Sequence, residues 1–166
     1  MDPKLQTYPA MYLDDLRVGQ RFTSGTYYMR EDRIKTFAAE FDPQPFHLDE
    51  AAAENSIFRG LAASGWHTAA ATMRLMVESL PFASGMAGLG GEIHWPRPTR
   101  PGDTLRVESE ITEIVPSRSK PNQGIVIVRS TTLNQHGEPV QVFTAKIIVF
   151  KRSSGASHGT TSPNGS

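Results

Sequence analysis

The chain has 166 residues, no cysteine, and 17 Lys+Arg against 17 Asp+Glu, which gives a formal net charge of zero. The length predicts one domain. The lack of cysteine excludes disulfides, thiolate metal sites and cysteine nucleophiles. The balanced charge argues against nucleic acid or an anionic membrane surface as a partner. No apolar run has the length of a signal peptide or a spanning helix, so we expect a cytoplasmic protein with no membrane partner.

The two parts of the chain differ in composition. The last segment, 153–166, reads SSGASHGTTSPNGS and consists almost entirely of small and polar residues. Such a segment buries too little apolar surface to offset its ordering entropy, so we expect a disordered tail. The folded domain is predicted to cover residues 12–152.

The first half of the domain predicts one strand and two helices. Residues 21–29 are rich in aromatic residues and Thr, which is typical of a strand. In 30–41 the apolar residues recur with helical spacing, and Pro43 predicts that this helix stops by Asp42. A short helix with Asp49 as its N-cap is expected within 47–58.

The longest helical pattern covers residues 65–80. Its apolar residues form one stripe: Trp66, Ala69, Ala70, Met73, Met76, Val77 and Leu80. The other faces carry small residues, and a helix that is apolar or small nearly all round is predicted to be enclosed by the rest of the fold.

The second half predicts four consecutive antiparallel strands. They cover 88–95, 104–115, 125–134 and 139–151, and 104–115 alternates apolar and polar residues cleanly. Strands joined in sequence by short turns predict the α+β class. A single curved sheet of about five strands wrapped around the long helix accounts for all of these patterns.

The candidate catalytic residues lie in the stretch FAAEFDPQPFHLD, residues 37–49. A helix leads to Asp42, two prolines restrict the loop that follows, and His47 comes five residues on. A carboxylate and an imidazole held in fixed relation are sufficient to move protons on and off water near neutral pH. On chemistry alone, a capping Asp and a structural loop His remain an equal alternative.

A second candidate stretch, AASGWHT, begins the long helix. Gly65 allows a ligand to approach the backbone, and the first N–H groups of a helix have no partner within it. Such a helix start stabilises negative charge on a thioester oxygen that becomes an enolate. The plainer alternative is a glycine at a tight junction between a loop and a helix.

Together these two stretches resemble a known family. The segment from Asp42 to Asp49 resembles the D-x-N-P-x-H-x-D motif of MaoC-like dehydratases, the (R)-specific enoyl-CoA hydratases. The segment Ala63-Ser64-Gly65-Trp66 is similar to their H-G-M segment, and 91–103 resembles the strand and P-G-D turn that follow. The resemblance covers nearly all of the predicted domain.

The resemblance implies a hotdog fold, a homodimer or higher homo-oligomer, and reversible hydration of a trans-2-enoyl-CoA to the (R)-3-hydroxyacyl-CoA. Asp42 and His47 match the residues that activate water, and Gly65 matches the glycine whose N–H holds the thioester carbonyl. No metal or separate cofactor is implied, since coenzyme A enters as part of the substrate.

Three residues depart from the family pattern beside the acyl pocket. Gln44 replaces an Asn, Ser64 replaces a His, and Trp66 replaces a smaller apolar residue. We expect all three to contribute to substrate binding, with Trp66 either shortening the acyl tunnel or packing in the core. For His67 we expect a hydrogen-bonded structural role, and for His94 an exposed position.

Two other functions remain open on the sequence. A hotdog thioesterase would share the helix start but direct a carboxylate at C1, and a non-catalytic acyl-CoA-binding module would need no Asp–His pair. Arg97, Arg100 and Lys120 are candidates for coenzyme A phosphate contacts, with plain solvation as the alternative.

Overall fold

Five strands and four helices make up the part of the chain that the computed structural model describes, residues 8–153. In chain order they are β1 (Arg21–Tyr28), α1 (Glu31–Phe41), α2 (Pro45–Leu48), α3 (Glu50–Glu54), α4 (Gly65–Ser79), β2 (Ala87–His94), β3 (Thr104–Pro116), β4 (Gln123–Leu133) and β5 (Pro139–Phe150). Apart from Ser153, the predicted tail lies outside the described residues.

All five strands form one antiparallel sheet in the order β1-β3-β4-β5-β2. The register shifts once in each pairing, for instance between Gly88 and Gly90 of β2. Such irregularities bend the strands, and the bent sheet packs around α4. The predicted α+β class and the five-stranded sheet around a central helix are confirmed.

The core lies between α4 and the inner face of the sheet. Leu105, Val107 and Ile111 of β3 are fully buried, as the alternation predicted, and Leu75 and Met76 of α4 are buried against the sheet. The α4 helix is too short to cross a membrane, and so are the other helices of residues 8–153.

The prediction that the apolar stripe of α4 is enclosed is wrong for most of its length. Trp66, Met73 and Val77 are 60%, 42% and 61% exposed. Met76 and Leu80 alone of the large stripe residues are buried.

Polar residues occupy much of the buried face of α4 instead. The Thr68 hydroxyl lies 2.9 Å from that of Thr99, and the Thr72 hydroxyl lies 2.7 Å from that of Thr132. A buried hydroxyl costs little free energy when it is hydrogen-bonded, so these threonines can face the sheet. Met73 and Val77 are thereby left on the exposed side of α4.

Arg100 fixes the loop that leads into α4. Its guanidinium donates to the backbone carbonyls of Phe58, Gly60 and Leu61 at 2.5–3.2 Å. Because these donors are used on the loop, Arg100 is a structural residue rather than a free cation for a phosphate. Arg97 forms an ion pair with Glu138.

Replacing Arg100 by Met should therefore destabilise the fold. Each hydrogen bond from a charged group contributes roughly 1.5–3 kcal/mol to the free energy of unfolding. In the variant, water can hydrogen-bond to some of the freed carbonyls and reduce the loss. We expect the free energy of unfolding, measured in urea, to fall by about 2–4 kcal/mol. The matched control Arg97→Met removes an exposed ion pair and should cost less than about 1 kcal/mol. Equal losses for the two variants would contradict this role for Arg100.

Candidate active site

Asp42 lies where α1 ends, and His47 lies in the short helix that follows. The Asp42 N–H still donates to the carbonyl of Ala38, but Asp42 itself has a non-helical backbone, with φ −151° and ψ 67°, because Pro43 disfavours a helical conformation there. Pro45 then begins α2, whose last turn carries His47. This local geometry brings His47 Nε2 to 3.3 Å from Asp42 Oδ2.

The environment of His47 fixes its tautomer. Nδ1 lies 2.6 Å from the carbonyl oxygen of Ala62, which can only accept, so Nδ1 carries a proton and donates. Because Nδ1 is committed to Ala62, Nε2 is the ring nitrogen that faces Asp42. The His47 ring is 4% exposed and contacts the rings of Phe46 and Phe58 at centroid distances of 4.6 and 5.9 Å. The ring orientation is thus held on both sides.

Two side chains hold the carboxylate of Asp42. Gln44 Nε2 donates to Oδ1 at 2.6 Å, and the Ser64 hydroxyl lies near enough to the same carboxyl group to lower its pKa. Burial raises the pKa of Asp42, but these two side chains and the nearby His47 ring outweigh that effect, so the pKa lies below its usual range. Asp42 is therefore a carboxylate at neutral pH.

Ser64 connects that carboxylate to the start of α4. It is the N-cap residue, and its hydroxyl accepts from the Trp66 N–H at 3.2 Å. The side chain is fully buried. Ser64 is not part of the cavity wall described below, and the substrate-binding role expected for it stays a prediction.

Gly65 is the first residue of α4, and its N–H has no acceptor within the helix. The indole of Trp95 packs directly on its Cα, because a Cβ at this position would lie 2.7 Å from the ring. Trp95 in turn donates from Nε1 to Gln141 Oε1 at 2.9 Å. Glycine is needed here so that Trp95 can approach the backbone.

A cavity of about 320 Å³ opens over these residues. Five of the six predicted site residues line it, namely Asp42, Gln44, His47, Gly65 and Trp66. The structure thus brings the loop before α2 and the start of α4 to one cavity, although they are distant in sequence. The remaining residue, Ser64, lies behind them.

The sequence analysis missed several residues of this cavity wall. Trp95, Phe58, Thr68 and Thr99 also line it. The W-P-R-P-T turn after β2 was the available signal, because two prolines beside a Trp indicate a fixed loop next to an aromatic wall.

A second cavity, of about 400 Å³, lies on the other side of Trp66 between α4 and strands β2 and β5. Most of its wall is apolar and includes Met73, Met76 and Phe143, whereas Gln141 is polar. The Trp66 and Trp95 rings meet edge to face at 5.4 Å. Trp66 therefore lines both cavities, and packing in the core does not describe its position.

The two uncertain histidines lie outside the first cavity. His67 stacks on Phe37 at 4.7 Å, and burial, with a smaller contribution from Arg33, lowers its pKa. Its Nδ1 is buried and has no hydrogen-bond partner among residues 8–153, so the hydrogen-bonded role expected for His67 is not found at this atom. His94 is exposed, as expected. Among residues 8–153, no group of three or more His, Cys, Asp or Glu is arranged to hold a metal ion.

The comparison with solved structures shows close similarity to a MaoC-like dehydratase from Rhodospirillum rubrum. The two share 58% identity over 86% of this chain and 99% of that one, with a TM-score of 0.85. The R-hydratase PhaJ1 from Pseudomonas aeruginosa is 30% identical to this chain. The match covers 86% of this chain and 88% of the PhaJ1 chain, with a TM-score of 0.69. These similarities confirm the hotdog fold.

Sequence comparisons agree. The uncharacterized protein YdeM of Bacillus subtilis is 33% identical over 143 residues, which are 84% of this chain and 98% of YdeM. The family model described as "MaoC like domain" matches residues 16–134. The protein therefore belongs to the MaoC-like domain family.

Proposed function

We propose that the protein is a hydro-lyase that reversibly hydrates a trans-2-enoyl-CoA to the (R)-3-hydroxyacyl-CoA. The observation that carries the proposal is the Asp42–His47 pair, 3.3 Å apart, on the wall of a cavity that also contains the start of α4. The (R) configuration rests on similarity to the R-hydratase PhaJ1.

The pair is suited to hold the attacking water. In the reactive form that we propose, His47 carries only the Nδ1 proton that it donates to Ala62, so Nε2 and Asp42 Oδ2 are both acceptors. A water that donates one hydrogen to each of them directs an oxygen lone pair away from both, toward C3 of the substrate. Asp42 takes a proton as the C–O bond forms, and His47 orients the water and shares the proton transfer.

The start of α4 is suited to the thioester. As water adds to C3, negative charge moves to the thioester oxygen as an enolate. The Gly65 N–H, with the positive end of the α4 dipole behind it, stabilises that charge. The proton that Asp42 took from the water is then delivered to C2, which regenerates the carboxylate, so H and OH of one water are both added and no metal ion is required.

A two-channel assay tests the activity. Crotonyl-CoA and longer trans-2-enoyl-CoAs are followed by the enone absorbance, with free thiol measured in parallel. Loss of enone without thiol release supports the hydro-lyase. Thiol release would instead identify a thioesterase, and binding without turnover would identify a non-catalytic acyl-CoA-binding protein.

Gln44 should set the acid limb of the pH–rate profile. Its hydrogen bond lowers the pKa of Asp42, so Gln44→Leu should raise that pKa, and activity should be lost at a higher pH on acidification. The measurement is kcat/KM between about pH 4 and 7. Gln44→Asn retains an amide donor and should shift the limb less. An unchanged limb in the Leu variant would contradict a catalytic carboxylate at Asp42.

We also propose that the protein forms a homodimer through α4 and β2. Strand β2 is an edge of the sheet, so one side of its backbone is free for pairing. The exposed apolar residues of α4 and Leu89 of β2 lie on adjoining elements. A second copy that continues the sheet at β2 would cover both, and it would also cover the open side of the second cavity, which lies between the same two elements.

Light scattering after size exclusion should give twice the 18.2 kDa chain mass. Val77→Glu, which puts a charge on the exposed face of α4, should shift the protein toward monomer. The control Val18→Glu changes a Val that is equally exposed, at 63%, but lies before β1. A monomeric wild type, or a dimer unaffected by Val77→Glu, would contradict this interface.

A further inference from the structure

Gln141 of β5 has a polar group without a partner. The residue is fully buried, and its Nε2 has no hydrogen-bond partner among the described residues. Burial of an unpaired donor is costly, and such groups in folded proteins call for an explanation. A ligand atom that accepts from Nε2 would supply one.

The orientation of the Gln141 amide is fixed by its neighbour. Trp95 Nε1 can only donate, and it lies 2.9 Å from Oε1. Exchange of the amide oxygen and nitrogen would place two donors against each other, so the oxygen faces Trp95 and the nitrogen faces away. The hydrogen bond from Trp95 therefore leaves Gln141 Nε2 as the donor without a partner among the described residues.

Gln141 lines the second cavity, the apolar space of about 400 Å³ behind Trp66. All of the residues that line it lie within residues 8–153 of one protomer, and none of them is a Lys, Arg, Asp or Glu. The cavity shares Trp66 with the catalytic cavity, and Trp95 connects that cavity to Gln141. An acyl chain that passes Trp66 would enter this space.

We propose that the second cavity binds the acyl tail of the substrate and that Gln141 Nε2 donates a hydrogen bond to an uncharged oxygen on that tail. The substrate class is thus a 2-enoyl thioester that carries a keto, hydroxyl or ether oxygen beyond C4. This inference rests on the proposed hydro-lyase function and adds the chemistry of the tail.

The absence of charge in the cavity wall decides between an uncharged oxygen and a carboxylate. A carboxylate placed against the fully buried Gln141 amide would lose hydration there with no cation in the wall, which is strongly disfavoured. A neutral oxygen pairs the donor at far lower cost. A plain alkyl tail would fill the space but leave the donor unpaired.

The test compares tails of equal length. The substrates are trans-2-octenoyl-CoA and its 6-oxo and 7-oxo derivatives, in which a ketone replaces one methylene. The wild type should prefer at least one oxo substrate by roughly 10- to 100-fold in kcat/KM, the effect of pairing a buried donor. Equal kcat/KM values, or a preference for the alkyl tail, would overturn the inference.

Two variants locate the effect. Gln141→Met removes the donor at similar size, and the oxo preference should fall to within a few-fold of unity. Phe143→Leu, two residues further along β5 and also in the cavity wall, should change both kinds of substrate alike and keep the ratio. Retention of the oxo preference in Gln141→Met would overturn the role of this amide.

A binding measurement distinguishes failure of this inference from failure of the proposed hydro-lyase function. If no enoyl-CoA were hydrated, the hydro-lyase proposal would fail. Calorimetry with octanoyl-CoA and its 6-oxo and 7-oxo derivatives would still report the cavity. Tighter binding of an oxo derivative that is lost in Gln141→Met supports the inference, and equal binding of all three rejects it.

Discussion

An Asp42→Asn variant is expected to lose roughly 10²- to 10⁴-fold in kcat for hydration while keeping its fold, because that is the usual effect of removing a general base. The amide has the size of the carboxylate and keeps an oxygen for the Gln44 donor at Oδ1. It cannot take a proton from water. Steady-state hydration of an enoyl-CoA, with urea unfolding in parallel, measures both effects.

Asp49→Asn is the matched control. Asp49, like Asp42, follows a helix, but it caps α3 by accepting from the Ala52 N–H, a role that Asn fills equally well. Its activity should stay near that of the wild type. Near-normal hydration by Asp42→Asn would remove Asp42 from the mechanism.

Two substitutions at His47 should separate its structural from its chemical role. In His47→Asn, the side-chain amide can still donate to the Ala62 carbonyl in place of Nδ1, but the group at Nε2 is gone. In His47→Gln, a polar group can still reach toward Asp42, while the bond to Ala62 is lost. His47→Asn thus keeps the contact with Ala62 alone, and His47→Gln keeps the contact with Asp42 alone.

We expect His47→Asn to unfold close to wild-type urea concentrations and to lose about 10²-fold or more in kcat. His47→Gln should lose stability by about 1–3 kcal/mol, because the buried Ala62 carbonyl is left unpaired. Full activity in His47→Asn would show that Nε2 does not act on the water.

The order of strands and helices, and the loop that joins Asp42 to His47, could be predicted because local patterns determine them. Alternating residues in β3 and two prolines after α1 restrict the backbone whatever the rest of the chain does. The residues of the candidate site were accessible for the same reason, since the loop brings His47 within reach of Asp42.

The buried face of α4 could not be predicted in this way. Thr68 and Thr72 turn inward because Thr99 and Thr132, far along the chain, offer their hydroxyls. Apolar residues such as Met73 then face outward. Hydrophobic periodicity cannot anticipate hydroxyl pairs that form between distant elements.

The contacts of Trp95 with Gly65 and Gln141 were inaccessible for a related reason. They depend on where the end of β2 lies relative to α4 and β5, which the strand register decides. A sequence shows that a Trp follows a strand, but it does not show which backbone the ring covers.

A crystal structure of the Asp42→Asn variant with a bound (R)-3-hydroxyacyl-CoA would show whether the Asp42–His47 pair and the start of α4 form the reaction site. We expect the 3-hydroxyl oxygen to lie within hydrogen-bond distance of both residue 42 and His47 Nε2, and the thioester oxygen to lie against the Gly65 N–H. A 3-hydroxyl group bound away from this pair, or a thioester oxygen that does not contact the start of α4, would contradict this expectation.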